Sequence, residues 1–204
     1  MIRQQIEFGA SLTFSDYFKL NVEIDELLAY FGYSFEFAKC NLPTTQIEPS
    51  RTQNLHTRLE QSFSLVGFTN ETARREFLIA PVLLEVALQT HAKIRVEYAL
   101  EVTEQLRGTL DYYLQARNNL LVVEAKNADL QKGFTQLAVE LIALNQIANP
   151  DLLSLYGAVS IGDIWRFGVL NRQAKQVTQD LTLYRVPTDL ADLLAILVAI
   201  LVEP

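Results

Sequence analysis

The chain has 204 residues, half of them hydrophobic and a fifth charged, with a net charge of −7. That length supports one sizeable domain with its own core. The composition excludes a long disordered or low-complexity protein, and the acidity argues against a generic nucleic-acid coat. Cys40 is the only cysteine, which excludes an intramolecular disulfide and a cysteine metal cluster and fits a reducing, cytoplasmic setting. The charge is uneven. Residues 1–50 carry net −4, residues 51–150 net −1 and residues 151–204 net −2, with 10 of the 17 bases in the middle segment. The N-terminus lacks the apolar core of a signal peptide. The most apolar run, Leu193 to Val202, falls far short of the ~20 residues that span a bilayer, so no membrane partner is expected.

Residues 1–50 read as an aromatic-rich extension suited to core or interface packing, and residues 51–204 as the main domain. Ile24 to Phe31 predicts a short helix, and Tyr33, Phe35 and Phe37 alternate with polar residues as in a strand. Leu42-Pro43-Thr44-Thr45 and Glu48-Pro49-Ser50 predict a connecting loop. Arg51 to Glu60 is basic and polar, and Phe63 to Phe68 reads as a short strand or turn. Thr69 or Asn70 would cap a helix running to about Gln89, with Glu71 in its first turn and a kink or break at Pro81. Three strands follow, at about Ile94–Val102, Thr109–Ala116 and Leu120–Lys126. A helix over Leu130–Ala148 comes next, with Leu137, Leu141 and Leu144 on one face, and Asn149-Pro150 ends it. Strands over Tyr156–Ile161, Ile164–Val169 and Gln176–Arg185 lead to a last helix opened by Pro187-Thr188-Asp189. This order predicts an α/β domain, a mixed sheet flanked by helices.

The chemistry concentrates in Gly108-Thr109-Leu110-Asp111 and Val122-Val123-Glu124-Ala125-Lys126. With Asn118-Asn119 as a two-residue hairpin loop, Asp111 falls opposite Lys126 and diagonal to Glu124. Side chains alternate along a strand, so all three share one face. Two carboxylates at that spacing can share a hard cation. Oxygen ligands without His or Cys favour Mg²⁺ or Mn²⁺. Lys126 would stabilise developing charge, or orient or deprotonate a water. A Glu-x-Lys arises by chance about once in a chain this long, and such a trio also makes a surface salt bridge worth little. Three features weigh for function. This is the only (Asp/Glu)-x-Lys in the chain, it closes an apolar strand, and Asp111 occupies the matching face.

These residues resemble the PD-(D/E)XK nuclease superfamily, in particular the nuclease domain of type I restriction enzyme motor subunits. Asn70-Glu71-Thr72-Ala73-Arg74-Arg75-Glu76-Phe77-Leu78-Ile79-Ala80-Pro81-Val82-Leu83 is similar to its first-helix signature. Asp111-Tyr112-Tyr113-Leu114 looks like its Asp-Tyr strand, and Val122 to Lys126 like its catalytic strand. Gln136 stands where the family often carries a glutamine. The four elements occur in order over residues 70–146. The resemblance implies a restriction-endonuclease-like fold, with Mg²⁺ held by Asp111, Glu124 and the carbonyl of Ala125. It also implies Lys126 as the catalytic lysine, Glu71 as an accessory acid and metal ligand, and Gln136 orienting the nucleic-acid backbone or the site. Leu110 replaces the motif's proline, and Glu140 stands where a tyrosine often follows the glutamine. No helicase motor or Walker A motif is present.

The expectation is a Mg²⁺-dependent nuclease that hydrolyses phosphodiester bonds of DNA. The alternatives are a non-catalytic binding or assembly module of the same fold, and a structural protein whose hairpin charges form a salt bridge. His56 and His91 are isolated and read as surface or helix-end residues. Trp165, after a Gly turn, reads as packing under a hairpin. The last helix, Leu190 to Val202, is apolar nearly all round and must be covered, first by burial in the domain and second by a homodimer contact.

Overall fold

The computed structural model describes residues 11–116, 119–126 and 128–202. Eight strands form one mixed sheet: β1 (Ser34–Ala38), β2 (Lys93–Thr103), β3 (Leu106–Ala116), β4 (Asn119–Ala125), β5 (Ser154–Ser160), β6 (Ile164–Asn171), β7 (Gln176–Asp180) and β8 (Tyr184–Arg185). The order across the sheet is β1-β7-β6-β5-β4-β3-β2, and β8 pairs with β6. β1 with β7 and β4 with β5 run parallel, and the other pairs are antiparallel. Parallel neighbours need a crossover, and the helix α6 (Leu130–Ile147) supplies it between β4 and β5. The expected α/β architecture, a mixed sheet flanked by helices, is therefore present.

The helices cover both faces. α1 (Phe14–Lys19), α2 (Ile24–Tyr30) and α6 lie on one, and α3 (Pro49–Leu65), α5 (Ala80–Thr90) and α7 (Leu190–Val202) on the other. Alternation along the strands feeds two cores. Leu121, Val123 and Ala125 of β4 join the α3/α5/α7 core, whereas Tyr113 of β3 and Val159 of β5 join the α1/α2/α6 core. α7 is buried along nearly its whole length, packing on α5, β4 and β8. Among the described residues no helix is long and apolar enough to cross a membrane.

Several local expectations are corrected. Arg51 to Glu60 belongs to α3, which reaches Leu65. Its only buried side chains are Leu55 and Leu59, too few to show a helical period in the sequence. α1 was unanticipated. It is set by Thr13 and Asp16, whose carboxylate accepts from the Thr13 N–H at 2.9 Å and from its hydroxyl at 2.6 Å. The strand expected over Gln176–Arg185 is interrupted between β7 and β8.

The expected break at Pro81 is instead a change of pitch. α4 (Glu71–Arg74), a π-helical turn (Arg75–Ile79) and α5 follow one another without a gap. Proline lacks an N–H and its ring crowds the carbonyl four residues back. A wide turn immediately before it accommodates both defects, and such turns recur at functional sites.

The central hairpin is also corrected. Ala116 pairs with Asn119 and Tyr112 with Val123, so the connection is residues 117 and 118, which lie outside the described residues, and not Asn118-Asn119. The register is displaced by two positions from the expected one, and Asp111, one step beyond the Tyr112–Val123 pair, comes opposite Glu124. A two-residue slip keeps every side chain on its face. Hydrophobic patterning is blind to it and the turn alone decides.

Candidate functional site

The site lies where β3 and β4 emerge beneath α6. Glu71, Asp111, Glu124, Lys126 and Gln136, chosen from the sequence, all line one cleft of about 450 Å³, together with Thr13, Ser15, Glu97, Gly108 and Thr109. Each arrives from a different piece of local structure. Asn70 caps α4 by accepting from the Ala73 N–H at 2.8 Å, which fixes Glu71 in the first turn. Asp111 stands mid-way along β3, just beyond the last β3–β4 pair, Tyr112–Val123, and its Oδ2 accepts from the Ala125 N–H at 2.9 Å. That bond ties the end of β4 to the middle of β3. It also shows which way the Ala125 peptide group faces, because a residue's N–H and C=O leave a strand on the same side.

Lys126 is held on several sides. Its ammonium forms an ion pair with Glu124 Oε1, and its Nζ lies 5.2 Å from the centre of the Phe18 ring. α6 passes close by at Gly133, where a Cβ would stand 3.0 Å from Lys126 Cγ and 2.7 Å from Val159 Cγ2. Burial works against the charged amine, but Glu124, Asp111 and Glu71 outweigh it and raise its pKa above the ordinary lysine value.

Behind Glu124 lies a residue that sequence reasoning set aside. Glu140 is wholly buried, and its Oε1 accepts from Gln136 Nε2 at 2.9 Å. Glutamate is almost never fully buried without a partner, so a charge one helical turn beyond Gln136 on an apolar helix was the available signal. Glu124 and Glu140 share a carboxyl–carboxyl contact, which is a hydrogen bond only when one of the two holds a proton. Burial, then the Asp111 charge, push the Glu140 carboxyl up to about 8 against the lowering effect of the Gln136 bond. Burial, then Glu140 and Asp111, push Glu124 well above the usual carboxylate range. Gln136, at 3 % exposure, thus spends its amide on the site's own buried acid.

Arg75 and Glu97 were also missed. Arg75 Nη1 lies 3.4 Å from Glu97 Oε1 and 3.6 Å from Asp111 Oδ1, and its guanidinium covers the Tyr112 ring at 5.4 Å. Arg75 projects from the π turn. Glu97 sits in β2 between the partners of Tyr112 and Leu110 with a φ of 51°, a left-handed backbone inside a strand. Such strain persists only where the surroundings enforce it. Arg75 stands inside the first-helix signature with no role assigned to it there, and no sequence pattern marks the backbone of Glu97. The remaining candidates have structural roles. His91 is the exposed left-handed cap of α5, and His56 lies on α3 with Nδ1 3.4 Å from Glu60. Trp165 is fully buried and donates to the Gly162 carbonyl at 3.1 Å.

Four carboxylates and one ammonium line the cleft, so any phosphate entering it meets an excess of negative charge unless a cation is added. Asp111, Glu124 and the Ala125 carbonyl adjoin at one strand end, and Glu124 Oε2 is buried without a donor among the described residues. That donor set is hard and oxygen-only, which fits Mg²⁺ or Mn²⁺. As they stand, no group of three or more His, Cys, Asp or Glu side chains among the described residues is gathered to hold a metal ion. Comparison with family models, curated proteins and solved structures finds no match to this chain.

Proposed function

We propose that the chain is a metal-dependent nuclease of restriction-endonuclease-like fold that hydrolyses phosphodiester bonds of DNA. One observation carries the reading: five residues selected from separate stretches of sequence, Glu71, Asp111, Glu124, Lys126 and Gln136, line the same cleft. The resemblance to PD-(D/E)XK nucleases supports it. Asp111, Glu124 and the Ala125 carbonyl would hold Mg²⁺ or Mn²⁺, with Glu71 reaching in from α4. A cation bound there polarises a phosphoryl oxygen and lowers the pKa of a bound water. Lys126 places a positive charge beside the phosphate oxygens where negative charge develops. Gln136 holds Glu140, and Glu140 in turn sets the position of Glu124.

A non-catalytic binding or assembly module is the second reading. It is favoured by the fact that each principal carboxylate already faces a cationic side chain, Asp111 facing Arg75 and Glu124 facing Lys126. Titration with Mg²⁺ and Mn²⁺, alongside cleavage of plasmid and single-stranded DNA, separates the two. Wild type is expected to bind metal and cut, and the Asp111→Ala, Glu124→Ala double variant to lose cutting by at least about a hundredfold. Metal binding without cutting supports the module. Absence of metal binding overturns the metal-dependent nuclease.

A further inference from the structure

The N-terminal helix forms a wall of the cleft. α1 is anchored on β3: Phe14 and Tyr17 are essentially unexposed, and the Tyr17 hydroxyl donates to the Gln105 carbonyl at 2.8 Å. At Gly108 of β3, a Cβ would fall 2.9 Å from Phe14 Cδ2 and 3.0 Å from the Phe14 backbone nitrogen. Only a residue without a side chain lets the helix approach so closely, and Gly108 also has a φ of 144°. With the helix seated, Thr13 and Ser15 line the cleft. Phe18, one turn from Phe14, presents its ring to Lys126 Nζ at 5.2 Å from the ring centre.

A lysine side chain is long and flexible, and ordering it has an entropic cost. Glu124 alone would hold the amine by charge and leave its direction free. The Phe18 ring supplies a second, directional contact, because the negative face of an aromatic ring attracts an ammonium. Gly133 supplies a third constraint by letting α6 press on the lysine stem.

We propose that Phe18 is a positioning residue for Lys126: its ring seats the amine in the cleft, so the N-terminal helix completes the site. The catalytic consequence rests on the nuclease reading, whereas the seating itself does not.

The test uses the full chain and two variants. Phe18→Leu keeps apolar bulk and removes the ring face, and Phe18→Tyr retains the ring. In ¹H–¹³C NMR spectra, the Lys126 Hε resonances of wild type are expected to lie upfield through the ring current. They should return towards ordinary lysine positions in Phe18→Leu and stay upfield in Phe18→Tyr. In Mg²⁺-dependent plasmid cleavage, Phe18→Leu should lower kcat about tenfold with KM unchanged, and Phe18→Tyr should restore it. Lys126 resonances that do not differ between wild type and Phe18→Leu overturn the proposal. So does a lost upfield shift with undiminished kcat. If wild type cuts no DNA at all, the nuclease reading fails, and the Lys126 ¹³Cε order parameter decides the seating, because removing the ring removes its shift wherever the amine lies: a value that falls in Phe18→Leu and stays high in Phe18→Tyr supports it, and an unchanged value overturns it.

Discussion

At the residue scale, the site depends on how closely α6 can pass the end of β4. Gly133 is the point of approach, with Val159 and Lys126 already in contact distance of any added carbon. Ala in place of Gly gains about 1 kcal/mol of helix propensity. Against that, the new methyl would lie 2.7 Å from Val159 Cγ2, and a β-branched side chain in a strand has little freedom to turn away. Overpacking of this kind costs about 1–3 kcal/mol. Gly133→Ala is therefore expected to lower stability on balance, read as a reduced urea midpoint at unchanged m-value. It should also displace Lys126 and so impair the cleft more than the fold. A higher midpoint would show that α6 can move aside.

At the element scale, the α4–π–α5 rod carries Glu71 into the cleft from the start of α4 and, four residues on, sets Arg75 against Asp111 and Glu97 from the start of the π turn. Its start depends on Asn70, whose side chain accepts from the Ala73 N–H. Asn70→Ala leaves that donor to water and should cost about 1 kcal/mol, and Asn70→Gly only a few tenths. Both are readable by thermal unfolding. The ordering Ala worse than Gly tests whether capping, rather than side-chain packing, is what Asn70 contributes. Pro81 was legible as a disturbance of this rod. Its outcome, a wide turn that keeps the axis going, depends on Leu78, Ile79, Val82 and Leu83 all being held in the α3/α5/α7 core. Packing on both sides of the proline opposes a break that propensity alone would favour.

At the scale of the whole molecule, the buried acids make stability depend on pH. Burial pushes the Glu140 carboxyl up to about 8 in the folded protein, from about 4.5 for a glutamate free in water. The folded state therefore holds a proton that the unfolded chain has released between those values. Stability falls wherever the folded state binds more protons as pH rises. The metal-free protein should thus be more stable near pH 5 than near pH 9, with the loss developing from about 4.5 through about 8. Glu124, raised in the same direction by burial first, adds to the trend, and the two carboxyls titrate as a pair. Melting temperatures across pH 5–9 test this, and Glu140→Gln, which keeps a neutral hydrogen-bonding group, should flatten the profile. A flat wild-type profile would show that Glu140 is ionised in the folded protein without penalty.

Residue patterning alone established β3, β4 and α6 as strand, strand and helix, and the face on which Asp111, Glu124 and Lys126 lie. Period-two alternation in β3 and β4 assigns Asp111, Glu124 and Lys126 to one side in either of the two registers, which differ by two residues. The ordered spacing of Asn70-Glu71, Asp111, Glu124-x-Lys126 and Gln136 carried the family resemblance. The tertiary structure decided what has no local signature. The hairpin register was open because a two-residue slip leaves the apolar pattern intact. α3 and α1 were hidden because two buried leucines, or one six-residue helix, give no period to count. Glu140, Glu97, Arg75 and Phe18 enter the site through contacts between elements distant in sequence. The burial that gives Glu140 its proton and the ring that faces Lys126 exist only once α6 and α1 have closed over the sheet.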